Sequence, residues 1–177
     1  RLSLIDMIKK MKVGNEMEIR EIRKCDYEQV IAIENSIWND QNTPNVSRYS
    51  SVDEYQESLQ HRKVIVACEK NEILGFLDMF QGIGIPSARF CLDIGIGISP
   101  EAQRQGVASA LLQWTIDYAK KKGYHKLSLR VLETNPEAMA LYKKNGFVVE
   151  GILKDAFYLG NQWVNDILMA YFLEHTD

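Results

Sequence analysis

The sequence predicts an α/β (α+β) domain with about seven strands and about four helices, and three observations carry that reading. Short apolar or alternating runs bounded by turn chemistry recur along the chain. Four other segments carry apolar residues at helical spacing instead. At 177 residues, with 46% hydrophobic and 25% charged side chains, the chain is long enough for one sizeable core. No repeat, low-complexity tract or linker divides it.

Residues 17–23 alternate, with Ile19 and Ile22 against Arg20 and Arg23, and predict a first strand. Asp26 stands where an N-cap belongs, ahead of Val30, Ile31, Ile33 and Ile37 at helical spacing. Residues 38–45 are a polar, Asn-rich loop opened by Trp38. Ser51 caps a second helix running to about His61, with Val52, Tyr55 and Leu59 on one face. Residues 64–69, 73–81 and 89–98 read as strands, separated by Lys70-Asn71 and by the Gly/Pro-containing segment 82–86.

From Gly106 to Lys122, Val107, Leu111, Thr115 and Tyr118 form one helical stripe with Ala108, Leu112 and Ala119. Lys120, Lys121 and Lys122 suit the negative end of that helix dipole, and Gly123 suits its C-terminal stop. Leu127, Leu129 and Val131 mark the next strand. Asn135-Pro136 is a strong helix start, and Asn145-Gly146 its end. Residues 147–155 and 163–172 supply two last strands. Residues 1–16 lack both a long apolar stretch and a cleavage site, and are expected to be an N-terminal extension of uncertain structure before one domain at 17–177.

Composition excludes several function classes. A net charge of −3 argues against broad nucleic-acid binding. Cys25, Cys68 and Cys91 have no CxxC pairing, and His61, His125 and His175 have no metal-ligand spacing, so no metal is expected. No apolar run approaches the ~20 residues that span a bilayer. The expectation is a soluble, cytoplasmic protein that binds neither nucleic acid nor membrane.

Two segments carry chemistry. The strand bearing Ile94, Ile96 and Ile98 breaks at Ser99-Pro100, and a polar turn at 103–108 then opens directly into a helix. Backbone N–H groups at such a helix start form an anion site. Gly106 lets a ligand approach the backbone there, and Ala108 keeps the first helical turn low. In the second segment, Asn135, Ala138 and Tyr142 share a helix face, leaving room for a slim chain beside a phenolic proton donor. Read singly, Asn135 is explained by capping and Tyr142 by helix packing. Gly95 and Gly97 lack the third glycine of a dinucleotide turn, and no Gly-Lys-Ser/Thr follows for a phosphate loop.

Together, Gln-x-x-Gly-x-Ala after a strand and Asn-x-x-Ala-x-x-Leu-Tyr-x-Lys-x-Gly-Phe resemble the GNAT superfamily of N-acetyltransferases. Order and spacing agree from about Met17 onward. The Gly146-to-Gly151 segment and the tail from Lys154 through Asp166 are similar to the branch holding ribosomal-protein, polyamine and small-molecule amine acetyltransferases. The resemblance implies a mixed, mostly antiparallel sheet and acetyl-CoA as cosubstrate. It implies that Gln103, Arg104, Gln105, Gly106, Val107, Ala108 and Ser109 wrap the pyrophosphate. Ile96, Gly97 and Ile98 would hold the pantetheine arm, with the Ile96 N–H on the thioester carbonyl. Asn135 and Ala138 would line the arm, and Tyr142 would give a proton to the departing thiolate.

The acceptor is expected to be a primary amine on a small molecule or peptide. Histone-type members of the family carry a glutamate four residues before the position of Ile96, and this chain has Leu92 there. Asp93 is adjacent, but alternation turns it to the opposite face. Glu34 is the candidate base or amine anchor, with Asp166 and Tyr158 as others. Trp38 and Tyr158 are candidate substrate walls, and Asp40, Asp53 and Glu54 join Glu34 as acidic residues suited to a cationic acceptor. Family members are often dimers, which leaves a homodimer open. A non-catalytic acyl-CoA-binding sensor or interaction module is the alternative.

Overall fold

The computed structural model describes residues 17–39, 41–46 and 48–174, so the expected extension at 1–16, Asp40 and His175 lie outside it. Seven strands run β1 Glu18–Glu21, β2 Arg62–Glu69, β3 Glu72–Phe80, β4 Cys91–Ile98, β5 Lys126–Leu132, β6 Val148–Leu159 and β7 Gln162–Phe172. Four α-helices accompany them among the described residues: α1 Tyr27–Ile37, α2 Val52–Ser58, α3 Val107–Lys122 and α4 Pro136–Lys144. The strands form one sheet in the order β1-β2-β3-β4-β5-β7-β6. Every pairing is antiparallel except β4 with β5. The expected mixed, mostly antiparallel sheet is therefore present.

Alternation along the strands feeds two cores, one on each face of the sheet. Ile65, Leu77, Leu92, Leu127, Leu129 and Met169 pack with Leu111, Leu112 and Ile116 of α3. On the other face Val64, Val66 and Phe76 pack with Val30 and Ile33 of α1 and Tyr55 of α2. The helix caps follow the sequence signals at three points. Ser51 Oγ accepts from the Glu54 N–H at 3.1 Å, Gly123 ends α3 at φ 77°, and Asn135 Oδ1 accepts from the Ala138 N–H at 3.1 Å.

Two local expectations change. Asp26 precedes α1, but its carboxylate caps the short 3₁₀ turn at Lys24–Asp26 instead, accepting from the Arg23 N–H at 2.7 Å. The same carboxylate accepts from Nη1 and Nη2 of Arg20, at 2.7 and 3.0 Å, and those hydrogen bonds hold its pKa down. The sixth strand also runs on past Asp155 to Leu159. Its register with β7 shifts between Leu153 and Phe157, and Asp155 there has a left-handed φ of 49°. That irregularity breaks the alternation on which a strand end is judged.

The feature that positions the site is the single parallel pair. β4 and β5 match only at Cys91↔Lys126, Leu92↔Leu127 and Asp93↔Ser128. Residues 94–98 and 129–132 then continue with no register between them. β4 keeps its pairing with β3 up to Ile98, and β5 keeps its pairing with β7 up to Leu132, so the sheet opens along one seam. The crossover from β4 to β5 runs through α3, whose first turn sits at the open end.

Candidate active site

A cleft of about 920 Å³ follows this seam from the sheet to the start of α3. Ile96, Gly97 and Ile98 form one wall, and Asn135, Ala138 and Tyr142 contribute to the other. Gln103, Arg104, Gly106, Val107, Ala108 and Ser109 close its end, while Trp38 and Asn42 stand at the rim. Thr134 Oγ1 donates to the Gln41 carbonyl at 2.6 Å and ties the rim loop to the loop that precedes α4.

The backbone of β4 determines what the seam offers. The Ser99 N–H donates to the Leu74 carbonyl of β3 at 2.9 Å. Peptide direction alternates along a strand, so Gly97 and Gly95 also turn toward β3, and the N–H and C=O groups of Ile96 and Ile98 face the gap. The seam is a strand edge left for an extended ligand. Gly97 lets β4 pack closely against the buried side chains under α1. A Cβ there would lie 2.5 Å from ring carbons of the buried Phe76 and 2.6 Å from Ile37 Cδ1.

At the end of the seam, Arg104 (φ 62°) and Gly106 (φ 85°) both adopt left-handed backbone conformations. Successive amides in such a turn form a concave nest for an anion. Gly106 is the N-cap of α3 and supplies no capping side chain. The first α3 amide that bonds within the helix is that of Ala110, which donates to the Gly106 carbonyl at 3.0 Å. The amides of Val107, Ala108 and Ser109 therefore have no acceptor inside the helix. Nothing lies within 4 Å of where a Gly106 Cβ would be, so the space over these amides is open.

α4 is fixed against this turn. Asn145 Nδ2 donates to Ser109 Oγ at 3.2 Å, and the exposed Arg104 and Glu137 pair at 3.0 Å across the cleft mouth. Tyr142 is only 7% exposed, its ring 5.8 Å from that of Phe147. Burial pushes its phenol pKa up, so the hydroxyl stays protonated across the physiological range.

The acetyltransferase (GNAT) family model matches residues 18–147, which takes in the opened seam, the turn and α4. The chain belongs to the GNAT family of acetyltransferases. Spermidine N(1)-acetyltransferase of Vibrio cholerae is 30% identical over 135 residues, which cover 71% of this chain and 75% of that protein. L-amino acid N-acetyltransferase AaaT of Escherichia coli K12 is 30% identical over 165 residues, covering 88% and 98%. The crystal structure of smu.2055 from Streptococcus mutans superposes with a TM-score of 0.83 at 34% identity, covering 89% of this chain and all of that one.

Within this GNAT fold, four residues expected at the site from sequence lie outside the cleft wall. Gln105 is exposed, and its side chain donates to the Glu101 carbonyl at 2.7 Å. Tyr158 sits near the exposed β6–β7 turn, where its hydroxyl donates to Asn161 Oδ1 at 2.8 Å and its ring packs on Trp163. Asp166 is buried on β7 and accepts from Arg130 Nε at 2.6 Å. Glu34 is buried on α1, with Oε2 accepting from Trp38 Nε1 at 3.4 Å and Oε1 lying 3.5 Å from Arg62 Nη1.

Arg62 organises a polar cluster under α1 and α2. Its Nη1 donates to Asp78 Oδ2 at 2.7 Å, and its Nη2 donates to Tyr49 Oη and Ser58 Oγ at 2.9 Å each. Burial pushes the Asp78 carboxyl up to about 7, against the lowering effect of Arg62 and with a smaller push from Glu34. Burial likewise raises Glu34. Sequence reasoning missed Asp78, Gly95 and Arg130, although the last two line the cleft. A signal existed for Asp78, which is the one charged residue inside the apolar run 73–80.

Proposed function

We propose that this chain transfers an acetyl group from acetyl-CoA to a primary amine by direct attack in a ternary complex. The observation that carries the reading is the β4–β5 seam, where the Ile96 backbone faces an open gap that ends at an uncapped helix N-terminus. The amides of the 103–109 turn and the dipole of α3 hold the pyrophosphate. Ile96 and Ile98 bond the pantetheine arm as a neighbouring strand would, and Ala138 leaves room for it. Asn135 caps α4 through Oδ1 alone, which leaves its amide nitrogen to contact the arm.

The Ile96 N–H stabilises the charge that develops on the thioester oxygen. Tyr142 donates a hydrogen bond to the departing thiolate. A thiol of ordinary pKa ~8.5 is a fair leaving group, so this donor assists the reaction without being indispensable. An alkyl ammonium has a pKa of ~10.4 and must lose a proton before it attacks. The spermidine and amino-acid activities in the names of the relatives support an amine acceptor.

The test is release of free thiol from acetyl-CoA with a panel of polyamines, amino acids, aminoglycosides and N-terminal peptides. Thiol release matched by an acetylated amine supports the reading. Tight CoA binding without turnover on any amine overturns it in favour of a non-catalytic CoA-binding module.

A further inference from the structure

The β4 position that carries a base in histone-type relatives is Leu92 here, which is buried in the core against α3. A carboxylate stands one strand away. Asp78 of β3 is the direct cross-strand partner of Gly95. Opposed residues in an antiparallel pair share a face, with Cα atoms about 5 Å apart. Gly95 lines the cleft, and nothing lies within 4 Å of where its Cβ would be. The cleft thus reaches Gly95, one residue along the strand from the Ile96 amide, and Asp78 lies directly across the strand pair with 14% of its side chain exposed.

Four polar atoms of the cluster around Arg62 are buried without a hydrogen-bond partner: Asp78 Oδ1, Glu34 Oε1, Tyr55 Oη and Arg62 Nε, with Glu34 Oε1 lying 3.5 Å from Arg62 Nη1. Tyr55 is fully buried, with its ring 5.2 Å beneath the Arg62 guanidinium. Unmet acceptors and donors at one place are costly unless a ligand or water completes them. When both are ionised, the two carboxylates outnumber the single guanidinium, which favours a cation over an anion or a neutral group.

We propose that Asp78 is the proton acceptor for the acceptor amine, reached over Gly95, with Glu34, Tyr55 and Arg62 forming the cation-binding subsite around it. This rests on the acetyltransferase reading and names the group that the reading leaves open. The ammonium loses one proton to Asp78 Oδ1. The freed nitrogen lone pair forms the C–N bond, and the C–S bond breaks with its electron pair going to sulfur. The second nitrogen proton leaves as the amide forms and neutralises the thiolate, while Asp78 returns its own proton to solvent. Arg62 and Glu34 act as positioning residues, since they fix the Asp78 carboxylate and its charge.

The charged and titratable groups that face Asp78 are Arg62 from β2, Glu34 from α1 and Tyr55 from α2, with Tyr49 of the preceding loop bound to the far side of Arg62, while Gly95 on β4 adds none. An Asp78 carboxyl near 7 is matched to proton transfer at neutral pH. The test compares wild type, Asp78→Asn and Gly95→Val by thiol release against pH, using an amine that the wild type acetylates, and by the CoA-induced rise in Tm. The expected result for Asp78→Asn is a fall in kcat of about 10²–10⁴-fold with loss of the acidic limb near pH 7. Gly95→Val is expected to lose acceptor turnover, and Asp78→Asn to keep the wild-type CoA shift. An Asp78→Asn protein that retains kcat and the limb overturns the proposal, as does one that loses the CoA shift together with activity. A wild type that binds CoA but releases no thiol with any amine overturns the acetyltransferase reading itself.

Discussion

Phe76 and Gly97 face each other across β3 and β4 so closely that no methyl group fits between them. Phe76 is 1% exposed and cannot swing away. Gly97→Ala is therefore expected to destabilise the fold by about 1–3 kcal/mol through overpacking. Urea unfolding checks this, and an unchanged midpoint would show that β4 moves freely toward the seam. Because β4 carries the Ile96 amide, the same variant is expected to weaken CoA binding.

Gly106→Glu places bulk and negative charge in the open space over the α3 amides. It is expected to abolish the rise in Tm that CoA produces. Its unliganded Tm should also fall slightly, because φ 85° is strained for any L side chain. The liganded-minus-unliganded difference is the quantity that tests the site, and a wild-type difference would place the pyrophosphate elsewhere.

Tyr142→Phe keeps the buried ring and removes only the hydroxyl. Loss of a donor to a good leaving group is expected to lower kcat by about ten- to a hundredfold, at or below the usual range for acid–base groups. CoA affinity should be unchanged. Steady-state kinetics with paired CoA titrations separate the two effects.

The Asp78 carboxyl, raised from 3.8 to about 7 in the folded chain, also sets a stability trend. The folded state holds this proton more tightly than the unfolded state. The contribution of Asp78 is fully present below about pH 4 and is lost as pH rises toward 7. Unfolding measured across this window should show a downward slope in wild type that is reduced in Asp78→Asn. Equal slopes would place Asp78 in a more solvated setting.

Much of this fold is legible in the sequence because its signals are local. The caps at Ser51 and Asn135, the stop at Gly123 and the apolar stripe of α3 each act within a few residues. The turn at 103–109 and the Asn135–Tyr142 face are legible for the same reason. The parting of β4 from β5 after Asp93 and Ser128 is a matter of long-range register, which no local pattern encodes. Asp78 and Gly95 become neighbours only through the antiparallel pairing of β3 with β4. Glu34, placed on α1 by its spacing, proved to be held by Arg62 and Trp38 rather than at the cleft wall. Tyr158, in an aromatic-rich tail, went instead to the β6–β7 turn because the chain reverses there.

The most direct measurement is thiol release from acetyl-CoA by the purified chain with a panel of primary amines, read alongside mass spectrometry of the amine. The account predicts one thiol for each acetyl group gained by the amine, and loss of both signals in Gly106→Glu. CoA binding without thiol release across the panel, or release that persists at the wild-type rate in Gly106→Glu, would contradict it.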